Sequence, residues 1–463
     1  MLSGYTLANF MAPNFDPRQF KKDLYQRLND KPLPPGAAFY EPVYDRAGSE
    51  DPVELMRSHI EFSETESIQM FSGFRGSGKT TELLRLKQCL EAQGYVVLYG
   101  DALSYLNPAQ EIDISDLLIV LAGAFSDALE KEKFVAIGTD SYWNRFVNFL
   151  TKTQVDVSEF GLKAGTDELG ADIKLSFQST PTFRQELQKK LANRIGELKR
   201  DVNKFFEDGV KVIRDRRGDD IAGVVFLFDQ LEQIRGSLSN EQSVIHSVER
   251  LFSQHLRLLE MPYVHMVYTV PPWLKFVLPG LMRIEILPSI RQWNNDAGRT
   301  EYQPGWESLR SLVYRRFGDD GFTTFFGCSD APHDLADRLI AVCGGHFRDL
   351  LLLLREAVLR AESLPVSEAV IENAITAVRG NFLPIAVDDA RWLDQIGSIR
   401  GAALPTTGEK DVNRLTRFLD THFVLYFANG DEWYDIHPLI REEVASIVQR
   451  EAAATLHTPQ APS

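Results

Sequence analysis

The sequence predicts an α/β fold in which a parallel sheet is covered by helices, followed by a helical region and a C-terminal unit of helices and one β-hairpin. Three observations support this prediction. Short apolar runs alternate with amphipathic helical stretches between about residues 61 and 300. Residues 301–380 have only helical periodicity, and an Asn429-Gly430 turn separates two strand-like runs near the C-terminus.

Five apolar runs are expected to form the strands of the sheet. Each is short and ends at a glycine, a proline or a polar residue, which is typical of strands that are buried on both faces. The runs are Ile68–Phe71, Tyr95–Tyr99, Val224–Phe228, Val264–Val270 and Ile284–Leu287. The helical stretches between them predict a parallel sheet with helices on both sides.

A helical insertion at about residues 131–218 interrupts this alternation. It contains a candidate hairpin around Asp167–Gly170 and a long helical stretch from Phe183 to Arg217. Between Arg184 and Arg217 there are eleven Lys and Arg residues against six Asp and Glu. This basic stretch is either a solvated amphipathic helix or a contact surface for nucleic acid or an acidic partner.

Length, charge and cysteine content narrow the class of protein. With 463 residues the chain exceeds one ordinary compact core, so two or three domains are expected. It carries 50 basic and 65 acidic residues, whereas proteins that coat nucleic acid usually have a basic excess. The three cysteines have no metal-ligand spacing.

The sequence also indicates where the protein is found. Residues 1–15 lack the pattern of a secretory signal, and no apolar window could span a bilayer. We therefore expect a cytoplasmic protein with no membrane partner.

The segment Gly73–Thr80 contains a complete phosphate-loop pattern, placed between an apolar strand and an amphipathic helix. Glycines let the backbone wrap closely and direct its N–H groups at phosphate oxygens. Lys79 is expected to reach the β- and γ-phosphates, and the Thr80 hydroxyl to bind Mg²⁺. The predicted cofactors are therefore ATP and Mg²⁺, and the predicted binding residues are Gly73, Arg75, Gly76, Ser77, Gly78, Lys79, Thr80 and Thr81.

An acidic residue at the end of another buried strand is expected to complete the magnesium site. Asp229 directly follows the apolar run Val224–Phe228. A carboxylate at the carboxyl edge of a parallel sheet, beside the loop of the first strand, can hold the ion through water. The predicted metal ligands are Thr80 and Asp229.

The phosphate loop, the acidic strand end and the segment Gly344-Gly345-His346-Phe347-Arg348 together resemble AAA+ ATPases, in particular the origin-recognition ATPases and the STAND signalling ATPases. The resemblance covers roughly residues 40–450. It implies hydrolysis of ATP to ADP and phosphate, a sheet in the order 5-1-4-3-2, a helical lid and a winged helix. The expected domains are an N-terminal adaptor (1–60), the ATPase core (61–300), the lid (301–380), the winged helix (381–451) and a disordered tail (452–463).

The sequence departs from the family pattern directly after Asp229. AAA+ proteins usually have a Glu there, which activates the attacking water, whereas this chain has Gln230 and, two residues later, Glu232. Gln can orient water but cannot accept its proton. Either Glu232 is the base, or hydrolysis is slow and the protein acts as a switch. As an ordinary surface carboxylate, Glu232 would instead pair with Arg235.

The resemblance also implies two sensor residues. Thr269 matches sensor 1 at the end of the fourth run, although Asn is commoner there and Thr is also an ordinary strand residue. Arg348 matches sensor 2, whose guanidinium contacts the γ-phosphate; the alternative is a salt bridge to Asp349 or Glu356. The predicted catalytic residues are Lys79, Asp229, Glu232, Thr269 and Arg348.

Several other side chains have roles that the sequence leaves open. An arginine that enters a neighbouring subunit's site would be one of Arg283, Arg291, Arg315 and Arg316. Tyr40 and Tyr44 lie where related proteins close over adenine, but aromatic residues that only pack are commoner. The histidines are scattered and have no metal-ligand spacing.

Two functions follow from these features. The first is an ATP-driven molecular switch that transmits its nucleotide state to a partner protein or to its own assembly, as in ATPases of bacterial defence systems. The alternative is a DNA-handling ATPase, of the initiator or transposition-regulator type, that binds through the winged helix or the basic insertion helix. From Asp388 to Glu451 there are seven basic and twelve acidic residues, which favours a protein contact over DNA.

Overall fold

The computed structural model describes residues 15–46, 51–135, 142–152, 169–327, 334–401 and 409–456, apart from positions 238, 279, 281, 282, 297 and 430.

A five-stranded parallel sheet forms the centre of the region predicted as the ATPase core (residues 61–300). Its strands are β1 (Ile68–Gly73), β2 (Tyr95–Asp101), β3 (Gly223–Asp229), β4 (His265–Val270) and β5 (Ile284–Leu287). Each apolar run of the sequence forms one strand. The strand order is β2-β3-β4-β1-β5, which is the predicted order seen from the other edge. The predicted α/β fold with its parallel sheet is thereby confirmed.

Helices cover both faces of this sheet. In β3, Val224 to Asp229 are all buried, and because successive side chains in a strand point to opposite faces, both faces must be covered. The core helices are α3 (Pro52–Glu61), α4 (Lys79–Ala92), α5 (Ile114–Lys131), α10 (Glu241–Gln254) and α11 (Leu274–Val277). The most deeply buried of them is α5, which begins after Asp113 with a capping box formed by Asp113 and Asp116.

The described part of the insertion is helical. It contains α6 (Tyr142–Lys152), α7 (Leu169–Ser179), α8 (Pro181–Leu191) and α9 (Ile195–Arg217). The hairpin predicted around Asp167–Gly170 is wrong where the chain is described, because Leu169 and Gly170 form the first turn of α7; Asp167 and Glu168 lie outside the described residues. A glycine is tolerated at a helix start, so the turn-like composition of this segment could not distinguish a hairpin turn from the start of a helix. The long stretch predicted from Phe183 is divided into α8 and α9 at residues 192–194.

The region after the sheet is helical, and the N-terminal segment packs against it. The helices are α12 (Gln303–Phe317), α13 (Asp319–Phe326), α14 (Leu335–Val342), α15 (Phe347–Arg360) and α16 (Glu368–Arg379), with α1 (Pro17–Arg27) and α2 (Val43–Arg46) preceding the sheet. Lys21 donates to the carbonyl oxygen of Ala361 at 2.5 Å, and Arg27 donates to that of Phe317 at 3.4 Å. The N-terminal segment is thus attached to the lid helices.

The chain ends in a unit that we call the C-terminal module, residues 387–456. It contains α17 (Val387–Ile399), α18 (Glu409–Asp420), β6 (Val424–Asn429), β7 (Asp431–Ile436) and α19 (Pro438–Leu456), with β6 and β7 antiparallel. The hairpin lies against the core: Ser289 N–H donates to the Tyr426 carbonyl oxygen at 2.9 Å, and Lys275 pairs with Glu432. Among the described helices, none has both the length and the apolar character needed to cross a lipid bilayer.

Candidate nucleotide-binding site

A cavity of about 400 Å³ lies at the carboxyl edge of the sheet, where the phosphate loop begins. Four separate parts of the chain line it: the N-terminal segment, the phosphate loop with the start of α4, the turn after β3, and the lid. Its size falls within the range of ordinary small-molecule sites. Its basic side chains are those of Lys31, Arg75, Lys79, Arg316 and Arg348.

The phosphate loop passes from β1 directly into α4. Gly76 and Gly78 have positive φ angles of +88° and +97°, a conformation that favours glycine. The Lys79 ammonium donates to the carbonyl oxygens of Gly73 at 3.0 Å and Phe74 at 2.9 Å. Lys79 is thereby held along its own loop, at the start of a helix whose free N–H groups attract anions.

The two predicted magnesium ligands lie next to each other. Thr80 Oγ1 donates to Asp229 Oδ2 at 2.8 Å, and the Tyr99 hydroxyl donates to the same oxygen at 2.8 Å. Asp229 is fully buried. Its pKa is raised by burial and by the nearby carboxylate of Glu232. A buried carboxylate oxygen beside a hydroxyl oxygen matches the hard oxygen ligands that Mg²⁺ prefers.

Gln230 and Glu232 both line the cavity but have different partners. The Gln230 side-chain amide donates to Asp101 Oδ2 at 2.8 Å, and Gln230 has a φ of +71°. Glu232 Oε1 lies 3.3 Å from the Lys79 ammonium, and its Oε2 has no hydrogen-bond partner among the described residues. The alternative pairing of Glu232 with Arg235 is therefore wrong. Arg235 lies 3.9 Å from Asp420 of the C-terminal module.

Thr269 lies at the end of β4, in register with Phe71 of β1. Its side chain is fully buried, and its hydroxyl has no hydrogen-bond partner in the part of the chain that the structure describes. Thr269 is not among the residues that line the cavity. A buried, unpaired hydroxyl is costly, so a water or ligand oxygen within its reach would stabilise it.

Arg348 lies directly above the phosphate loop. A Cβ placed on Gly76 would lie 2.7 Å from the Arg348 Cβ, so the lid helix and the loop are in close contact. The guanidinium lines the cavity and donates to Asp30 Oδ2 at 2.8 Å. The alternatives predicted for Arg348 are wrong, because Asp349 is surrounded by histidines and Glu356 pairs with Arg360.

The N-terminal segment forms a wall of the cavity, of which the sequence indicated only the tyrosines at positions 40 and 44. Leu33 N–H donates to Thr81 Oγ1 at 3.0 Å, and the Tyr40 hydroxyl lies 3.3 Å from Glu82 Oε1. Tyr40 lines the cavity. Tyr44 is fully buried and donates to the Pro288 carbonyl oxygen at 3.2 Å, so of the two tyrosines only Tyr40 is placed to contact a ligand.

The four candidate arginine fingers all interact within their own chain. Arg316 lines the cavity, donates to the Asn29 carbonyl oxygen at 3.3 Å, and thereby holds the N-terminal wall. Arg315 pairs with Glu41, and Arg283 pairs with Glu285. The Arg291 guanidinium lies 3.8 Å from the centre of the Tyr302 ring.

A buried cluster of histidines lies behind the phosphate loop, contrary to the scattered distribution that the sequence suggested. His346 Nε2 lies 3.1 Å from the carbonyl oxygen of Arg75 in the loop, and His346 Nδ1 lies 2.7 Å from Asp349 Oδ2. His422 and His437 of the C-terminal module approach the same carboxylate oxygen at 3.5 and 3.3 Å. No sequence spacing could have indicated this cluster, because the lid and the C-terminal module contribute to it from distant positions.

Comparison with known proteins finds neither a matching family model nor a matching curated protein. Among solved structures, the chain is similar to the ORC2 protein of Aeropyrum pernix in its ADPNP–ADP complexes, with 11% identity over 94% of this chain and 98% of that one and a TM-score of 0.40. The ADP form of the same protein gives 12% identity over 92% and 98%, with a TM-score of 0.41. Cdc6p from Pyrobaculum aerophilum gives 10% identity over 92% and 98%, with a TM-score of 0.33.

Proposed function

We propose that the chain is an AAA+/STAND-like molecular switch that binds ATP with Mg²⁺, hydrolyses it slowly, and transmits its nucleotide state to a partner protein or to its own assembly. The observation that carries this proposal is the construction of the cavity. Its walls come from the phosphate loop, the N-terminal segment, the turn after β3 and the lid. A ligand that fills the cavity would therefore contact all four parts of the chain at once.

The charges around the loop favour a polyphosphate. Burial lowers the pKa of Arg75, and the neighbouring positive charges of Arg235 and Arg348 lower it further. Arg75 and Arg348 both line the cavity, and an anion between them would offset their mutual repulsion. With Lys79 and the loop N–H groups, these two guanidinium groups supply the fork-shaped and point-charge donors that bind phosphate oxygens.

The residues near Asp229 fit a bound magnesium ion. Thr80 Oγ1 and the Asp229 carboxylate would hold it, directly or through water. When bound, the ion neutralises charge on the β- and γ-phosphates. Tyr99 donates to Asp229 and fixes the orientation of the carboxylate.

Slow hydrolysis follows from the position of Glu232. Its Oε1 lies 3.3 Å from the Lys79 ammonium, so one of its two carboxylate oxygens is occupied until Lys79 turns to the phosphates. Gln230 occupies the position next to Asp229, but its amide donates to Asp101. We infer that ATP binding first separates Lys79 from Glu232, and that Glu232 then accepts the proton of the attacking water.

Transmission begins at the lid. Arg348 reaches the cavity from α15, and its present partner Asp30 lies on the N-terminal wall. A γ-phosphate competes with Asp30 for this guanidinium and so changes the position of α15 relative to the wall. Because His346 and Asp349 of the same region contact the C-terminal module, movement of α15 is passed on to that module.

The test compares the wild-type chain with Lys79→Ala and with Lys22→Ala, an exposed lysine on α1 that serves as the matched control. We expect the wild type and Lys22→Ala to bind ATP, to hydrolyse it slowly, and to differ in mass or protease sensitivity between ATP and ADP. Lys79→Ala should lose ATP binding or turnover and remain in one state. Normal ATP binding together with normal turnover by Lys79→Ala would refute the site, and identical mass and protease patterns of the wild type in ATP and ADP would refute the switch.

A DNA-handling role is the second candidate, and the exposed basic residues at the end of α9 favour it. Lys211, Arg214, Arg216 and Arg217 are exposed there, and phosphate neutralisation supplies most non-specific DNA affinity. The C-terminal hairpin is less suited, because it is acidic and packs against the core. Salt-sensitive duplex binding that stimulates the ATPase, and that Lys211→Glu with Arg214→Glu abolishes, would place this role ahead of the protein-partner switch.

A further inference from the structure

The buried histidine cluster has the geometry of a metal site that is separate from the proposed nucleotide site. His346, Asp349 and His422 each offer one ligand atom, and these atoms all lie within 4.8 Å of one another. Two ligand atoms bound at about 2.05 Å to one tetrahedral zinc ion lie about 3.3 Å apart. His422 Nδ1 lies 3.5 Å and His346 Nδ1 lies 2.7 Å from Asp349 Oδ2, so these two distances differ from that spacing by about 0.2 and about 0.6 Å.

The hydrogen bonds orient His346 as a metal ligand. Its Nε2 faces the Arg75 carbonyl oxygen at 3.1 Å. Its Nδ1 faces Asp349 Oδ2 at 2.7 Å, and because the carbonyl and the carboxylate oxygen both only accept, a metal ion bound at Nδ1 would take the place of the proton between Nδ1 and Asp349. Histidines that bind metals usually donate their second ring N–H to a backbone carbonyl or a carboxylate in this way.

His437 is a neighbour of this cluster and is not one of the proposed ligands. Its Nδ1 accepts from the Leu439 N–H at 3.2 Å. Its Nε2 lies 3.3 Å from Asp349 Oδ2 but makes no hydrogen bond within the described residues.

A cavity beside His422 gives room for a further ligand. This cavity of about 370 Å³, between the lid and the C-terminal module, is lined by Asp349 and His422, which leaves space for water at a fourth position. His422 is buried, and its Nε2, the ring nitrogen that is not the proposed ligand, has no hydrogen-bond partner among the described residues. Its φ of +62° lies in the left-handed region, which is uncommon for residues other than glycine and is often kept at functional sites.

We propose that His346, Asp349 and His422 bind one divalent transition-metal ion of the zinc class, with water from the adjoining cavity as the fourth ligand. Imidazole nitrogens with one carboxylate favour Zn²⁺ or Co²⁺ over Mg²⁺ or Ca²⁺, which prefer oxygen ligands. The ion joins α15 of the lid to the C-terminal module. Through the bond from His346 to Arg75, it also holds the phosphate loop against both. Metal binding at this cluster goes beyond the proposed ATP switch and does not depend on it.

The experiment uses the full, tag-free chain, stripped with a chelator and titrated with Zn²⁺ in the presence of excess Mg²⁺ and no nucleotide. We expect one equivalent of Zn²⁺ per chain, and a visible absorption band of tetrahedral type when Co²⁺ is used instead. His422→Ala should weaken Zn²⁺ binding by at least about 100-fold, and His437→Phe, which leaves all three proposed ligands in place, should weaken it less than His422→Ala does. His59→Ala, on α3, is the control that should bind like the wild type.

Far-ultraviolet circular dichroism shows whether each variant is folded, and His422→Asn replaces His422→Ala if the latter is not. Absence of stoichiometric Zn²⁺ and Co²⁺ binding by the wild type would overturn the proposal, as would unchanged binding by the folded His422 variant. Loss of binding in His59→Ala would overturn it as well, because the ion would then lie elsewhere. ATP binding by the stripped wild type distinguishes failure of the metal site from failure of the proposed ATP switch.

Discussion

Replacing Gln230 by Glu restores the residue that AAA+ proteins usually have after the magnesium Asp, yet we expect it to destabilise this protein. The Gln230 amide donates to Asp101 Oδ2 at 2.8 Å and accepts from the Gln233 side chain at 3.0 Å. Glu has the same length, but it offers a second acceptor where a donor is needed. The new carboxylate would face the Asp101 carboxylate with no proton between them.

The expected loss of stability follows from the distance between the two carboxylates and from their exposure to solvent. Two unit charges about 4 Å apart repel by about 4 kcal/mol at an effective dielectric constant of 20. Asp101 is only partly buried, so screening by solvent reduces the repulsion to about 1–2 kcal/mol. The lost hydrogen bond adds about 1 kcal/mol. We therefore expect Gln230→Glu to lower the free energy of unfolding by about 2–3 kcal/mol.

Urea denaturation of three variants measures this effect. Gln230→Glu should be less stable than the wild type, and Asp101→Asn combined with Gln230→Glu should recover most of the loss, because the Asn amide can donate to the new carboxylate. The pKa of Asp101 is already raised by burial and by the nearby Glu232. A second neighbouring carboxylate raises it further, so the loss of stability should shrink as the pH falls and one proton is taken up.

Equal stability of the wild type and Gln230→Glu at neutral pH would refute the reasoning, as would a double variant no more stable than the single one. The ATPase rate of the stable double variant then shows whether a carboxylate at position 230 accelerates hydrolysis.

Three further predictions follow from the site. Glu232→Gln should bind ATP more tightly, because Lys79 loses its carboxylate partner, and should hydrolyse it at least about tenfold more slowly; equilibrium binding and single-turnover assays separate the two effects. Gly345→Ala should lower the melting temperature by several degrees, because its Cβ would lie 1.8 Å from the Ile290 carbonyl oxygen. Arg348→Ala should reduce ATP-dependent protection from protease more than it reduces ATP affinity, and an unchanged protection pattern would contradict its role in the lid.

The sequence predicts best what is encoded over a few consecutive residues. The interior strand β3 was recognisable because both of its faces are buried, so its apolar run Val224–Phe228 is unbroken. The phosphate loop places Lys79 and Thr80 at the start of α4 through its own backbone. Asp229 could be paired with Thr80 because strands of a parallel sheet end at one edge.

Contacts between distant segments were not predictable in this way. The N-terminal wall meets the cavity through Leu33 and Asp30, whose neighbours in sequence show only a proline-rich turn. The histidines around Asp349 come from the lid and the C-terminal module. Such contacts depend on how whole helices dock, and a pattern within one helix carries no information about that.

The N-terminal wall makes nucleotide exchange a matter of timing. Leu33 is bonded to Thr81, Asp30 to Arg348, and Arg316 to the backbone at Asn29, so opening the cavity on this side breaks several weak bonds together. Under the proposed ATP switch, a partner that displaces residues 29–40 would speed nucleotide exchange without touching the nucleotide itself.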